Sequence, residues 1–208
     1  MCRLGGASVL CALGLSYSGC SGIVDTPSSV PTENDARMYY LKLDGSGNKY
    51  YYSIQQPSAD KLTMIMKGDY QSTTYDQAEA YDCQWVFRQS NQQEDWYFAV
   101  DSNAAFDLGN STFWSNTSVW VDLKAPLSGN ASWSFNYHGD TVVASVKAYG
   151  ASAKVGNKVY GDVVQVQYTG KCNSGTKWFA RGIGEIYESV SHPYGYEERS
   201  LDSCQVTN

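Results

Sequence analysis

Hydrophobic and polar residues alternate with a period of two over much of the chain after Arg37. The alternation is clear at residues 62–66, 96–100 and 133–137, and Gly, Asn, Asp or Pro residues separate such runs. A period of two places the apolar side chains on one face of a β-strand. No window of ten or more residues keeps an apolar 3.6-residue period, and the best helical candidate, residues 75–81, allows one or two turns. The pattern therefore predicts a chain made of strands.

Short strands separated by turn residues are typical of antiparallel meanders. The alternation of Tyr39, Leu41 and Leu43 predicts a first strand, and residues 177–188 predict a long one near the other end. We therefore predict an all-β fold, an antiparallel meander forming a barrel or half-barrel, with little or no helix outside the N-terminal segment described next. A β-sandwich is the alternative.

The first 19 residues have the pattern of a secretory signal peptide. One charge, Arg3, precedes an apolar stretch at residues 7–15, and small residues follow it. The stretch is too short to cross a bilayer, which takes about 20 apolar residues. We predict a signal peptide at residues 1–19.

The segment ends in Ser18-Gly19-Cys20, which resembles the bacterial lipobox. Two small residues before a cysteine match that motif, whereas Tyr17 stands where the motif usually has Leu. The resemblance implies that Cys20 is the lipidation site. Diacylglycerol on its thiol and a fatty acid such as palmitate on its amine would together anchor the chain stably in a membrane. The expected location is therefore the bacterial cell envelope.

Residues 20–36 are rich in Ser, Thr and acidic side chains, and Pro27 and Pro31 exclude regular pairing. Such a composition is typical of a flexible tether. We therefore divide the chain into a signal peptide, this tether, an antiparallel β domain at residues 37–190 and a C-terminal tail at residues 191–208.

Composition narrows the class of protein. The chain has 208 residues, enough for one domain with a substantial core. Its formal net charge is −6 and it has no basic run, which argues against binding to nucleic acid. The 6 Trp and 17 Tyr residues are an excess that can fill a β-core or line a ligand cavity.

Two phrases in the last third of the chain resemble uncharacterised bacterial envelope lipoproteins. One lies within residues 150–168 and the other within residues 175–187. The resemblance implies an all-β half-barrel, similar in outline to the lipoprotein-localisation (Lol) carriers that cradle acyl chains, and it implies no particular chemistry. The matching positions are Val159, Tyr160, Asp162, Val163, Val164, Val166, Trp178, Phe179, Ala180, Arg181, Gly182, Ile183, Gly184 and Ile186.

Motifs for catalysis and metal binding are missing from the sequence. His138 and His192 do not have the spacing of metal ligands, so we predict no metal site and no cofactor. There is no G-x-S-x-G motif for a nucleophile.

Carboxylate pairs can hydrolyse glycosidic bonds, and the sequence offers Glu94, Asp95, Glu185 and Glu188. Nothing in the sequence places them across a cleft, so we expect no catalytic residues and no enzyme. Arg181 and Glu185, four residues apart on one predicted strand, read as an exposed ion pair.

An exported protein meets an oxidising compartment, where cysteines within reach of each other pair. If Cys20 carries lipid, Cys83, Cys172 and Cys204 remain in the mature chain. We predict a Cys172–Cys204 disulfide that pins the polar tail to the domain. The alternatives are a Cys83–Cys172 bond, or a buried free thiol at Cys83.

Two functions from different classes fit these features. The first is a non-catalytic envelope lipoprotein, tethered to a membrane by its lipid, whose barrel holds a hydrophobic ligand or docks a partner. The alternative is a secreted all-β enzyme or carbohydrate-binding module. The anchor, the tether and the lack of a catalytic motif favour the first.

Overall fold

The computed structural model describes residues 35–206, in which twelve strands form one antiparallel sheet. Consecutive strands pair with each other, except β6 with β7, and β1 also pairs with β12. The predicted all-β meander is confirmed: the described helix is one 3₁₀ turn, Ala36–Met38. The strands are β1 (Lys49–Gln56), β2 (Asp60–Tyr75), β3 (Ala78–Phe87), β4 (Gln93–Val100), β5 (Ala104–Gly109), β6 (Trp120–Lys124), β7 (Ser132–Tyr137), β8 (Asp140–Val155), β9 (Lys158–Thr169), β10 (Ser174–Ala180), β11 (Gly184–His192) and β12 (Gly195–Gln205).

The sheet curls into a nearly closed barrel rather than a sandwich. Its two edge strands, β6 and β7, are consecutive in the chain, and Trp133 of β7 donates a hydrogen bond of 3.3 Å from Nε1 to the carbonyl oxygen of Val121 in β6. Leu62, Met64 and Met66 of β2 alternate into the interior, each about 1% exposed. The period-two pattern thus identified inward-facing positions correctly. No helix in residues 35–206 has the length and apolar character needed to span a membrane.

The helical candidate at residues 75–81 is wrong. The chain reverses there between β2 and β3, at Asp76 and Gln77, whose φ angles are +47° and +72°. Left-handed φ angles at two consecutive residues are typical of tight hairpin turns.

The long strand predicted at residues 177–188 is also wrong, because the chain forms a hairpin there. Strands β10 and β11 are joined at residues 181–183, where Gly182 has a φ of +71° that glycine adopts without strain. Arg181 and Glu185 are therefore not an exposed pair on one strand. Arg181 lies 3.5 Å from Asp162, and Glu185 is buried inside the barrel.

The C-terminal segment, predicted to be a polar tail outside the β domain, is mostly a strand in the middle of the sheet. Residues 195–205 form β12, which pairs with β1 on one side and β11 on the other. Arg199, Leu201 and Cys204 are each 3% exposed. One of these inward positions is a charged residue, so the segment lacks the apolar alternation that predicts a strand.

Residues 35–48 close one end of the barrel. The amide of Ala36 donates to the Ser102 carbonyl, in the turn between β4 and β5, at 3.0 Å. The Gly182 amide donates to the Met38 carbonyl at 2.8 Å. The segment therefore runs across this end from one turn to another. Its residues 39–43 form no strand, which corrects the prediction made there.

The closing segment is packed tightly. A Cβ atom on Gly184 would lie 2.8 Å from the backbone nitrogen of Leu41, so the position admits glycine alone without a shift. Tyr39 and Leu43 are buried, at 0% and 2% exposure. The alternation in this segment therefore reflects burial across the end of the barrel and not pairing as a strand.

Strand β5 has apolar side chains on its outer face. Phe106 and Leu108 belong to a second cluster outside the barrel, where Trp114 of the β5–β6 loop packs over Tyr97 at a ring distance of 5.7 Å. The alternating neighbour of Phe106 and Leu108 is Asp107, which consequently faces the barrel interior.

Candidate functional site

A cavity of about 490 Å³ occupies the end of the barrel opposite the closing segment. It lies among the β1–β2, β7–β8 and β11–β12 turns and the β5–β6 loop. Its volume falls within the roughly 300–1,000 Å³ of small-molecule sites. Phe113 and Tyr194 line it and are 84% and 91% exposed, so aromatic rings project into solvent at its edge.

The walls of the cavity are aromatic. Trp85 of β3 and Trp96 of β4 stack with a centroid distance of 4.0 Å and an interplanar angle of 11°. Trp120 of β6 packs edge-on against Tyr137 of β7, with the ring centroids 5.1 Å apart. Trp85 is almost fully buried, whereas Trp96 is only half-buried.

Charged residues form the floor of the cavity in register across three strands. Lys177 of β10 lies opposite Glu188 of β11, which lies opposite Arg199 of β12. The Lys177 Nζ atom is 3.4 Å from Glu188 Oε2, and the Arg199 guanidinium forms an ion pair with the same carboxylate. All three side chains are at most 5% exposed. The row of basic, acidic and basic residues is thus buried.

Further carboxylates surround the two cations. Asp122 of β6 lies 2.8 Å from Lys177 Nζ and accepts a 2.6 Å hydrogen bond from the Tyr40 hydroxyl. Glu185 accepts a 2.9 Å hydrogen bond from Arg199 Nε and lies 3.6 Å from Lys177. The closing segment, through Tyr40, therefore contacts the same charge cluster that forms the floor.

These carboxylates keep both cations protonated. Burial alone would lower the pKa of Lys177, but Asp122, Glu188 and Glu185 raise it well above its ordinary value. Burial likewise opposes the charge of Arg199, and Glu185 and Glu188 outweigh it. Conversely, burial raises the pKa of Asp122 and of Glu185, against the attraction of the cations.

Asp107 lines the cavity and has a strongly raised pKa. Burial, with repulsion from Asp122, raises its pKa to about 7 despite the attraction of Lys177. Its Oδ1 atom accepts hydrogen bonds from Trp96 Nε1 at 2.6 Å and from the Gly109 amide at 2.9 Å. The cavity therefore contains a carboxyl group that changes charge near neutral pH.

Two buried donors at the cavity are unsatisfied. The indole N–H groups of Trp85 and Trp120 have no hydrogen-bond partner within residues 35–206, and both residues are only 4% exposed. A buried donor without a partner costs about 1–3 kcal/mol. Both residues line the cavity, and a ligand that reached their buried N–H groups from it would supply the missing acceptors.

His192 is neutral in this environment. Burial, followed by repulsion from Lys177 and Arg199, lowers its pKa to about 4. Its Nδ1 atom is 3.3 Å from Asn173 Oδ1, and its ring lies 5.6 Å from that of Trp120. It therefore contributes a neutral polar ring rather than a cation. Among the described residues, no three His, Cys, Asp or Glu side chains are grouped so as to hold a metal ion.

Two solved structures resemble the fold at low sequence identity. One is described as a putative lipoprotein from Parabacteroides distasonis ATCC 8503, with 9% identity and a TM-score of 0.46, covering 80% of this chain and 98% of that one. The other is described as a putative exported protein with YmcC-like fold from Bacteroides fragilis NCTC 9343, with 8% identity, a TM-score of 0.48 and the same coverage. No family profile and no curated protein matches.

The predicted Cys172–Cys204 disulfide is wrong. Cys172 is an exposed free thiol and Cys83 is a buried free thiol, so neither is bonded to Cys204. Cys172 precedes β10 at the end of the sheet where β12 begins, whereas Cys204 lies nine residues further along β12. At about 3.3 Å per residue, the strand separates them by roughly 30 Å. The predicted lipidation site, Cys20, lies outside the described residues.

The structure brings together only some of the carboxylates that the sequence offered. Glu185 and Glu188 meet in the charge cluster, whereas Asp95 lies outside the barrel and pairs with Lys67 at 2.6 Å. Sequence reasoning missed Asp107, Asp122, Lys177 and Arg199. The usable signal was an acidic residue within an otherwise apolar strand, as at Asp107 and Asp122, since such a residue is charged at an inward position.

Proposed function

We propose that the chain is an exported envelope lipoprotein, anchored to a membrane through Cys20, whose barrel binds a small ligand in the cavity and catalyses no reaction. The observation that carries the proposal is the pair of unsatisfied indole donors, Trp85 and Trp120, within an aromatic cavity of ligand size. When a ligand supplies an acceptor, the free-energy cost of the unsatisfied donor is removed, which favours binding.

The position of the closing segment determines how an anchor at Cys20 would orient the barrel. Asp35, the first described residue, caps the 3₁₀ helix at the closed end of the barrel, and the cavity opens at the other end. A tether that joins Cys20 to Asp35 would therefore attach the closed end to the membrane. The cavity would open away from the lipid surface, accessible to a ligand from the surroundings.

The charged residues at the floor of the cavity change the kind of ligand that we expect. An acyl chain placed in this cavity would lie beside Lys177, Glu188 and Arg199, and would satisfy none of the polar groups there. We therefore propose a ligand that offers apolar faces to the tryptophans and polar atoms to the floor, rather than a wholly hydrophobic one.

Ligand binding can be tested by isolating the protein with its cargo. The full chain would be purified from envelopes and its small-molecule content compared by mass spectrometry with that of a Trp96→Ala variant. We expect a compound in the wild type that the variant loses. A matched control is Trp178→Ala, because Trp178 is a half-buried tryptophan that packs on Tyr187 and does not line the cavity. Loss of the compound in both variants, or its absence from the wild type, would contradict the proposal.

The anchor is tested separately. A clickable fatty-acid analogue should label the wild type and leave a Cys20→Ser variant unlabelled. Equal labelling of the two proteins would refute lipidation at Cys20, as would an unlabelled wild type.

One observation favours a second candidate, a glycoside hydrolase. Asp107 has a pKa of about 7 in an aromatic cavity that also contains Glu188, and a carboxyl group with a raised pKa can act as a general acid. Turnover of a glycan that is abolished by Asp107→Asn would replace binding by hydrolysis as the function.

A further inference from the structure

We infer that the ligand of the cavity is a neutral saccharide, which stacks on Trp96 and is hydrogen-bonded by the indole N–H groups of Trp85 and Trp120. The inference rests on the proposed ligand-binding function and adds the chemical class of the ligand. It follows from three features of the cavity: the pairing of its cations, the kind of polar group left unsatisfied, and the exposure of its aromatic rings.

The first feature argues against an anion. Lys177 and Arg199 are the basic side chains that line the cavity, besides two histidines. Lys177 already has Asp122, Glu185 and Glu188 within 3.6 Å, and the Arg199 guanidinium contacts Glu185, Glu188 and Glu197. The carboxylates outnumber the cations, so a phosphate, a sulfate or a fatty-acid headgroup would meet no unpaired positive charge and would be repelled.

The second feature argues against a cation. The excess of carboxylates attracts positive charge, and Asp122 Oδ1 and Glu188 Oε2 also lack a hydrogen bond. Those two oxygens are already held in ion pairs with Lys177 and Arg199, whereas the indole donors Trp85 Nε1 and Trp120 Nε1 have no partner within residues 35–206. An ammonium or guanidinium group carries donors and no acceptor, so it leaves both indoles unsatisfied. A hydroxyl group accepts and donates, so it can accept from an indole and donate to Asp107 or Glu188, which also line the cavity.

The third feature concerns the apolar part of the ligand. Trp96 is half-buried, and its ring is held by the stack on Trp85 and by the hydrogen bond from Nε1 to Asp107. An indole fixed in this way offers a rigid apolar surface to the C–H face of a ligand ring. A sugar ring has such a face and is edged with hydroxyl groups. It is therefore the class of molecule that matches the walls and the floor at once.

A binding experiment on the purified full chain tests the ligand class. An array of neutral, anionic and cationic glycans is screened first, and the strongest hit is titrated by tryptophan fluorescence at low and high salt. Palmitate is titrated in parallel. We expect a neutral glycan to bind with an affinity that does not change with salt, because no net charge is neutralised.

Variants connect the binding to the named residues. Trp96→Ala should raise the dissociation constant for the glycan about tenfold or more, whereas Trp178→Ala should leave it unchanged. Trp85→Phe provides a second variant that keeps a ring and removes one donor, in case Trp96→Ala fails to fold. Circular dichroism of each variant checks that the barrel is intact.

The outcomes separate the inference from the proposed function. Binding of palmitate or of charged glycans alone, lost in Trp96→Ala, overturns the saccharide and keeps a ligand-binding barrel. Binding of a neutral glycan that is unaffected by Trp96→Ala and Trp85→Phe overturns the site. If neither palmitate nor any glycan binds, and no compound co-purifies with the protein, both the inference and the proposed function are wrong.

Discussion

Trp96 and Asp107 are joined by a 2.6 Å hydrogen bond from the indole Nε1 to Oδ1 of the carboxyl group. The bond connects neighbouring strands at the cavity wall, and it fixes a carboxyl group whose pKa is raised to about 7. The orientation of an aromatic ring and the charge state of the cavity are thereby linked in one contact.

This link predicts a dependence of stability on pH. In the unfolded chain Asp107 titrates near 3.8, and in the folded chain near 7, so between these values the folded state binds more protons. Its contribution to stability is complete below about pH 4 and is lost as the pH rises towards 7. His192 acts in the opposite sense between about pH 4 and 6.5, because its pKa is lowered.

The variant Asp107→Asn isolates the first effect, since an amide oxygen can still accept from Trp96 and Gly109. From pH 4 to pH 7 the wild type should lose roughly 1–3 kcal/mol relative to this variant. The figure is smaller than the full shift implies, because solvent screens a carboxyl group at a cavity wall. Urea unfolding at several pH values measures it, and parallel stability curves for the two proteins would contradict the shifted pKa.

The buried charge cluster predicts a large effect from removing one cation. Lys177→Met removes the cation paired with Asp122 and one of the two paired with Glu188, and should destabilise the fold by about 3–5 kcal/mol. The matched control is Lys67→Met, which breaks the exposed pair with Asp95 and should cost less than about 1 kcal/mol. Similar urea midpoints for the two variants would show that the cluster is not buried as described.

The two free thiols should differ in reactivity. Cys172 is exposed, whereas Cys83 is buried and its pKa is raised by burial. A maleimide should label Cys172 in the native protein and Cys83 only after unfolding. Peptide mapping by mass spectrometry identifies the labelled residues. A native protein in which Cys172 resists labelling would restore the disulfide at that residue.

The position of β12 predicts that the C-terminal segment carries stability. Leu201→Ala removes a side chain that is 3% exposed and should cost about 2–4 kcal/mol. Val159→Ala, at a residue that is 55% exposed on β9, should cost less than about 1 kcal/mol. If Leu201→Ala were as harmless as Val159→Ala, the segment would not be a packed strand of the sheet.

The sequence predicted the strands wherever the barrel interior is apolar. Residues such as Leu62, Met64 and Met66 face inward and alternate with polar neighbours, so their period reveals the strand. In β12 the inward position opposite Glu188 is Arg199, and the apolar period disappears. The inward charged residue that contributes to the candidate site is therefore also the reason why the sequence pattern did not reveal β12.

Other errors have a different cause. Tyr39, Leu41 and Leu43 do recur with a period of two, but they do so because the segment is buried across the end of the barrel. A segment buried in this way shows the same alternation as a strand. The turn at Gly182 is marked in the sequence only by Gly182 and Gly184, which also occur at bulges and bends within strands, so the glycines alone did not identify a chain reversal. The cavity depends on residues from β3, β4, β5, β6, β10, β11 and β12 meeting in space, and no local pattern specifies which inward positions meet.

The most direct test is an NMR titration of the tryptophan side chains. In the full chain labelled with ¹⁵N, the indole N–H resonances would be assigned with single Trp→Phe variants and followed as the best-binding glycan is added. We predict that the Trp85 and Trp120 resonances shift together, in the direction of a newly formed hydrogen bond, while that of Trp178 stays in place. Unchanged Trp85 and Trp120 resonances at a glycan concentration that saturates binding would contradict a ligand site built on these two donors.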